Sequence, residues 1–252
     1  MGDVPTMKYV YFDCYAGFDV QMALGSLIDM TDNIDLAQKT AECILEPLTL
    51  YTEQTKRQGM DCLFAFFDFS YSKSDDTMFL IDNSSLDEKL KTKLKSWYKL
   101  KSDGKKGNDI EDTRELLMVA AAFAIIDSLD AEKFYVSAIF QGGGESFKPS
   151  AHTELLGKIA DLPIYPCAET KEILTPGGIA FLNVLGAKYM SPQSHDVIKS
   201  GYGAGEDELS IPNIARAVLA NEDETEESFL NFEALISNMQ AEIGTITTAG
   251  NK

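Results

Sequence analysis

Apolar and polar positions alternate in MKYVYFD, residues 7–13, which predicts a strand. Beyond Gly17 the apolar positions Met22, Leu24, Leu27, Ile28 and Met30 recur at helical spacing, so strand, tight loop and helix follow one another. The same spacing predicts a helix over Asp35–Leu48, with Asp35 as its N-cap. CLFAFFDFSYS, residues 62–72, is the strongest strand signal, and TMFLID, residues 77–82, reads as a strand beside it. Leu86–Leu100 predicts a lysine-rich surface helix. KSDGKKGND, residues 101–109, has no apolar side chain and offers a linker or mobile loop at which two lobes would part.

ELLMVAAAFAIIDSL, residues 115–129, is apolar almost all round and predicts the central buried helix, and KFYVSAIF, residues 133–140, a buried strand after it. That succession is the crossover of a parallel sheet. QGGGESFKP, residues 141–149, reads as a glycine-rich turn. Thr175 is placed as N-cap of a further helix with Pro176 at its first position. KSGYGAGEDE, residues 199–208, reads as a second glycine-rich loop, and IPNIARAVLAN, residues 211–221, holds a short strand. Residues 221–228 form a charged connector, and Phe229–Ile246 one more strand or helix. The fold class expected is α/β, a mixed, partly parallel sheet with helices packed on it.

Composition adds bounds to that pattern. At 252 residues the chain can bury roughly three quarters of its unfolded surface, so it needs no disulfide or metal staple. Hydrophobic residues at 44% and charged residues at 25% are those of an ordinary globular domain. A formal charge of −18 repels phosphate backbones and anionic lipid heads, so neither nucleic acid nor a membrane surface is expected as a partner. Cys14, Cys43, Cys62 and Cys167 lie far apart and read as free thiols in a reducing cytosol, which makes the chain cytoplasmic.

Short-range chemistry is sparse. Gly142–Gly144 follows a strand without the spacing of a phosphate loop, so a plain turn is the simpler reading. GYGAGED, residues 201–207, has alternate glycines with no helix behind them, which fits a strand edge with a bulge and a tight turn. His152 and His195 are the only imidazoles, and no closely spaced pair exists to make a local zinc or nickel site. Cys14 has no base near it in sequence, and no nucleophile elbow accompanies a triad.

YFDCYAGFDVQMALGSLID, residues 11–29, resembles the opening of the LarC-type nickel-insertion family, D-C-F-S-G-I-S-G-D-M-x-L-G-A-L-L-D, and keeps Asp13, Cys14, Gly17, Met22, Leu24, Gly25, Leu27 and Asp29. EILTPGGIAFLNVLGAKYM, residues 172–190, is similar to the family's E-L-T-T-P-T-G-A-A run. IKSGYGAGEDELSIPNIARAVL, residues 198–219, is similar to G-Y-G-A-G-x-x-D-x-x-x-P-N-x-L-R. KRQGM, residues 56–60, and residues 119–140 agree more weakly.

The resemblance implies a LarC-like N-terminal domain over residues 7–221, followed by an acidic connector and the start of the family's C-terminal domain over residues 222–252. It implies a lyase-class, CTP-dependent cyclometallase that inserts nickel into a pyridinium-3,5-bisthiocarboxylate mononucleotide. Manganese and CTP would enter only through a C-terminal domain carried by a partner subunit, and a homo-oligomer is left open. Asp13, Cys14 and Asp207 carry over as ligand-type candidates, and Gly201, Gly203, Gly205 and Thr175 as candidate cofactor-binding positions. Asp13 reads equally as a turn cap and Cys14 as a buried small hydrophobe.

The departures are specific. Val20 and Gln21 stand where the pattern has Gly-Asp, and KGNDIEDTRE, residues 106–115, stands where it has a His-rich run, Arg114 taking an aspartate's place. The family's A-H-G is absent from residues 142–156. Two functions remain open: a divergent component of nickel-pincer maturation, or a catalytically silent homologue that acts as a scaffold or regulator. A small-molecule binder reusing the GYGAG and TPGG loops is a third.

Overall fold

Alternation in KYVYFD produces β1 (Lys8–Asp13), which buries Val10 and Phe12 on one face and Tyr9 and Tyr11 on the other. A computed structural model describes residues 7–70, 76–102, 110–142, 151–167, 169–191 and 196–221. After β1 the order is α1 (Val20–Thr31), α2 (Ile34–Glu42), β2 (Leu48–Arg57), β3 (Met60–Phe69), α3 (Thr77–Asn83), α4 (Glu88–Ser102) and α5 (Ile110–Asp127). Then come β4 (Lys133–Val136), β5 (Ile139–Gln141), α6 (Ala151–Ala160), β6 (Ile164–Pro166), α7 (Pro176–Leu185), β7 (Lys188–Tyr189), β8 (Asp196–Ala204) and β9 (Ile214–Asn221).

The main sheet runs β2-β3-β8-β9-β1-β4-β7, and β5 pairs with β6 in a small second sheet. β1–β4, β4–β7 and β3–β8 are parallel, while β2–β3, β8–β9 and β1–β9 are antiparallel, so the sheet is mixed as the pattern predicts. Strands from both sides of residues 101–109 share this sheet and one continuous core. α5, with eleven buried positions, is the central helix. α1 lies over β8, β3 and β9 and against α5. No described helix is long and apolar enough to cross a membrane.

Several elements differ from their sequence expectation for local reasons. TMFLID is the helix α3, because the Asp76 carboxylate accepts the Met78 N–H at 2.9 Å and starts a helical turn. α2 starts at Ile34 and ends at Glu42, and the chain enters β2 at Leu48. β2 carries mostly polar side chains as the edge of the sheet, and joins β3 through Gln58 (φ 49°) and Gly59 (φ 84°), a two-residue hairpin turn inside KRQGM. The run 133–140 breaks at Ser137 into β4 and β5, which belong to different sheets. KSGYGA is no loop but most of β8, an interior strand with a bulge between Val197 and Lys199. α4 is lysine-rich outside yet buries Leu90, Leu94, Trp97 and Tyr98. Residues 103–109, 143–150 and 222–252, which include the predicted linker, most of the first glycine turn and the acidic connector, lie outside the described residues.

Candidate functional site

Four segments meet beyond the carboxyl end of β1, the crevice where open α/β sheets take ligands. They are residues 14–19, 137–142, 169–175 and 205–213. The Phe18 N–H donates to Ile173 O at 2.8 Å and the Thr175 N–H to Phe18 O at 3.1 Å, so the first two motif blocks seat each other. Gly17 has φ 78°, and a Cβ there would overlap the Ile173 backbone, so both conformation and close approach demand glycine. Asp19 caps α1 by accepting Met22 N–H at 2.6 Å, and Thr175 caps α7 by accepting Gly178 N–H at 3.0 Å, with Pro176 at the first helical position as expected.

The third block joins from the sheet. The Asp29 carboxylate accepts the Tyr202 N–H at 2.8 Å, and Arg57 of KRQGM donates twice to Gly205 O, at 3.0 and 3.2 Å. Gly201 and Gly203 face the backbone of α1, where any Cβ would overlap Ser26, Met30 or Met22 main-chain atoms. At Gly205 a Cβ would stand 2.6 Å from Asn213 Nδ2. The alternate glycines therefore let a helix lie close on the sheet, which is their visible structural role. Glu169 binds the two remaining loops together: it accepts the Thr170 N–H at 2.8 Å and the Ser210 hydroxyl at 2.8 Å, and the Ser210 bond above all holds its carboxyl down at about 2.

The starts of α1 and α7 border a cleft of about 310 Å³ lined by Asp19, Gln21, Lys101, Glu111, Glu115 and Thr175, among others. Burial, with Glu115 and Glu206 adding to it, lifts the Asp19 carboxyl to about 6 against the helix-capping bond from Met22. Burial likewise raises Glu115, opposed by Lys101. The Lys101 ammonium pairs with Asp112 at 2.5 Å and with Glu115, and lies 5.4 Å over the Trp97 ring. Trp97 Nε1 in turn donates to Gly177 O at 3.0 Å. Among the described residues that line it, the cleft is acidic with one cation, Lys101.

Asp13 ends β1 directly opposite Arg216 of β9. Its Oδ1 is buried without a hydrogen-bond partner, and so are Arg216 Nε and, in the 205–213 loop, Asn213 Oδ1, whereas buried polar atoms are normally paired; burial raises the Asp13 carboxyl, opposed by Arg216 and Ser137. Cys14 packs with Val10 and Phe12 in the main core at 0% exposure, and burial pushes its thiol well up, which opposes thiolate formation. Asp13 follows Tyr9 and Tyr11 on the opposite side of the strand. Asp207 is exposed in the 205–213 loop and pairs with Lys171 at 2.5 Å. Among the described residues no three His, Cys, Asp or Glu side chains gather as metal ligands, so Asp13, Cys14 and Asp207 do not surround one ion in this arrangement. His152 Nε2 is engaged with Lys101 O at 2.9 Å, and His195 lies outside the described residues.

Asn213 and Arg216 are kept positions of the third motif block, but Asp19, Lys101, Glu115 and Glu169 are site residues that sequence reasoning does not single out. Asp19 alone carries a usable signal, a capping residue just ahead of the apolar helical spacing.

The family model described as nickel insertion protein matches residues 10–249. A pyridinium-3,5-bisthiocarboxylic acid mononucleotide nickel insertion protein of Desulfitobacterium hafniense is 30% identical over 91% of this chain and 63% of its own length. One of the same description from Staphylococcus epidermidis is 24% identical over 93% of this chain and 65% of its own. The chain thus spans somewhat less than two thirds of the length of these relatives. No solved structure matches.

Proposed function

Because the chain belongs to the nickel insertion protein family, we propose that it is a component of nickel-pincer cofactor maturation that receives the pyridinium mononucleotide named in its relatives' descriptions. One observation carries this reading: every motif block of the resemblance bonds to another around the crevice at the end of β1, where Asp13 Oδ1, Asn213 Oδ1 and Arg216 Nε are buried and unpartnered. Such atoms suit a polar organic ligand, since each offers a bond that the fold leaves open.

Nickel, the cargo of the reaction, prefers imidazole, thiolate or several convergent donors. The described residues do not gather such a set. Asp13 is the ligand-type candidate that fits best, Cys14 would have to leave the core to contribute, and Asp207 to leave Lys171. The reading therefore assigns further nickel ligands, and the CTP and manganese steps, to a partner subunit, and places the work in the cytoplasm. Nickel insertion into the mononucleotide, followed by elemental analysis of the product, tests it with the chain alone and with a full-length family member. Activity restored by this chain to a partner impaired in its N-terminal part supports the reading. Absence of both association and restoration overturns it.

A second reading, a catalytically silent scaffold, is favoured by Lys101 occupying Asp112 and Glu115, and by Gln21 donating to Ala65 O at 3.2 Å where the family pattern has an acid. It expects the partner to be active alone, with the chain altering only its rate or stability.

A further inference from the structure

Tyr15, Phe140 and Tyr165 form a row of rings beside the crevice. Phe140 and Tyr165 are cross-strand partners in the β5–β6 pair with centroids 6.1 Å apart, and Tyr15 stacks on Phe140 at 6.2 Å with planes 25° apart. Alternation sends the neighbours Ile139 and Gln141 inward to full burial, so strand pairing itself turns Phe140 and Tyr165 outward. Tyr15 is 58% exposed and Tyr165 51% exposed. A single exposed ring is ordinary, but two exposed rings flanking the half-buried Phe140 make a patch of the kind that marks a binding surface. The row starts at the residue after Cys14, and the Phe140 N–H donates to Cys14 O at 3.4 Å, so it walls the same crevice.

Two chemical facts select the occupant. Tyrosine and phenylalanine faces are electron-rich and attract cations and electron-poor rings. In the pyridinium mononucleotide named in the relatives' descriptions, the pyridinium ring is the planar, electron-poor and positively charged part that such faces take. We propose that this row is a stacking platform for a planar cationic heteroaromatic ring, the pyridinium of a mononucleotide. The proposal rests on the maturation reading above and assigns the ring, as distinct from the metal, to residues of this chain.

The probe is nicotinate mononucleotide, with uridine monophosphate as the neutral-ring comparison, titrated into the full chain by saturation-transfer NMR and calorimetry. Nicotinate mononucleotide should bind about tenfold more tightly than uridine monophosphate. Tyr15→Ala and Tyr165→Ala should each weaken it about fivefold to a hundredfold, the range that loss of one stacked aromatic gives. Tyr15→Phe should stay within about twofold, because the ring face remains. Phe79→Ala, at another ring 55% exposed, should change nothing. Far-UV circular dichroism establishes that each variant is folded. Failure of the folded chain to bind the probe, equal affinity for both nucleotides, or binding indifferent to both alanine variants would each overturn the platform. Those results leave the maturation reading to its own restoration assay, so the two fail separately.

Discussion

Gly25→Ala should destabilise the protein, against the usual rule for a helix interior. Alanine in place of glycine in the middle of a helix normally gains about 1 kcal/mol. Here Gly25 sits in α1 where a Cβ would stand 2.5 Å from Leu63 O and 3.0 Å from Gly203 Cα, both main-chain atoms. Ordinary contact begins at 3.4 Å, so α1 or β3 must give way by about 1 Å. Neither can do so locally, because Val20, Met22, Ala23, Leu24, Leu27 and Ile28 of the same helix are all buried. Overpacking against a rigid neighbour costs about 1–3 kcal/mol or more. Set against the propensity gain, the net loss is up to about 2 kcal/mol, which lowers Tm by up to about 8 °C for a chain of this size. Thermal and urea unfolding followed by circular dichroism measure it. A rise in Tm would refute the reasoning and mean that α1 does not rest on the sheet at main-chain distance. The role given to Gly201 and Gly203 would fall with it.

Asp19→Asn should stabilise the protein near pH 7.5 by about 1–3 kcal/mol, since asparagine caps a helix as well as aspartate and carries no buried charge. Burial lifts Asp19 from 3.8 to about 6, so its protonated form favours the native state at low pH and that advantage is lost as pH rises through 6. The gain should therefore vanish by about pH 4 in urea titrations. Glu169 has the opposite sign: its carboxyl is held at about 2 instead of 4.5, so its stabilisation is complete above 4.5 and lost as pH falls toward 2. Glu169→Gln should flatten that acid limb. Trp97→Phe leaves Gly177 O without its donor and should lower the urea midpoint by an amount equivalent to about 1–3 kcal/mol.

Where a local rule decided the structure, the residues announced it. The periodicity of α1 and α5 and the Thr175-Pro176 start of α7 are decided within a few positions, and they stand where the pattern places them. β2 was hidden because an edge strand with little apolar content looks like a loop. β8 was hidden because glycines that serve a helix lying on the sheet weaken the strand signal of their own segment. TMFLID has strand-like composition, and one capping carboxylate five residues from Ile81 outweighs it. The candidate site was legible as motif blocks and not as chemistry. Lys101 meets Glu115, and Trp97 meets Gly177, only because α4, α5 and α7 pack together, and no spacing in one sequence encodes that contact.

The departures at Val20 and Gln21 acquire a physical meaning from this arrangement. Val20 is 1% exposed and belongs to the main core, and Gln21 is tied to Ala65 O, so the opening turn of α1 is fastened to β3. The carboxylate of the turn stands at Asp19, where it accepts the Met22 N–H as the helix cap and burial lifts its carboxyl to about 6. Cys14 is sealed in the main core, and Lys101 takes up Glu115. Each of these groups could serve a metal only by giving up a bond or a burial that holds the crevice together. Asp13 Oδ1, Asn213 Oδ1 and Arg216 Nε make no hydrogen bond that a ligand would have to break, although the Asp13 carboxyl is faced by Arg216 and Ser137. The division of open and occupied donors thus favours recognition of an organic ligand by this chain, with metal ligation supplied from elsewhere, and it predicts that Asp13→Asn weakens mononucleotide binding more than it alters nickel uptake by the assembled partners.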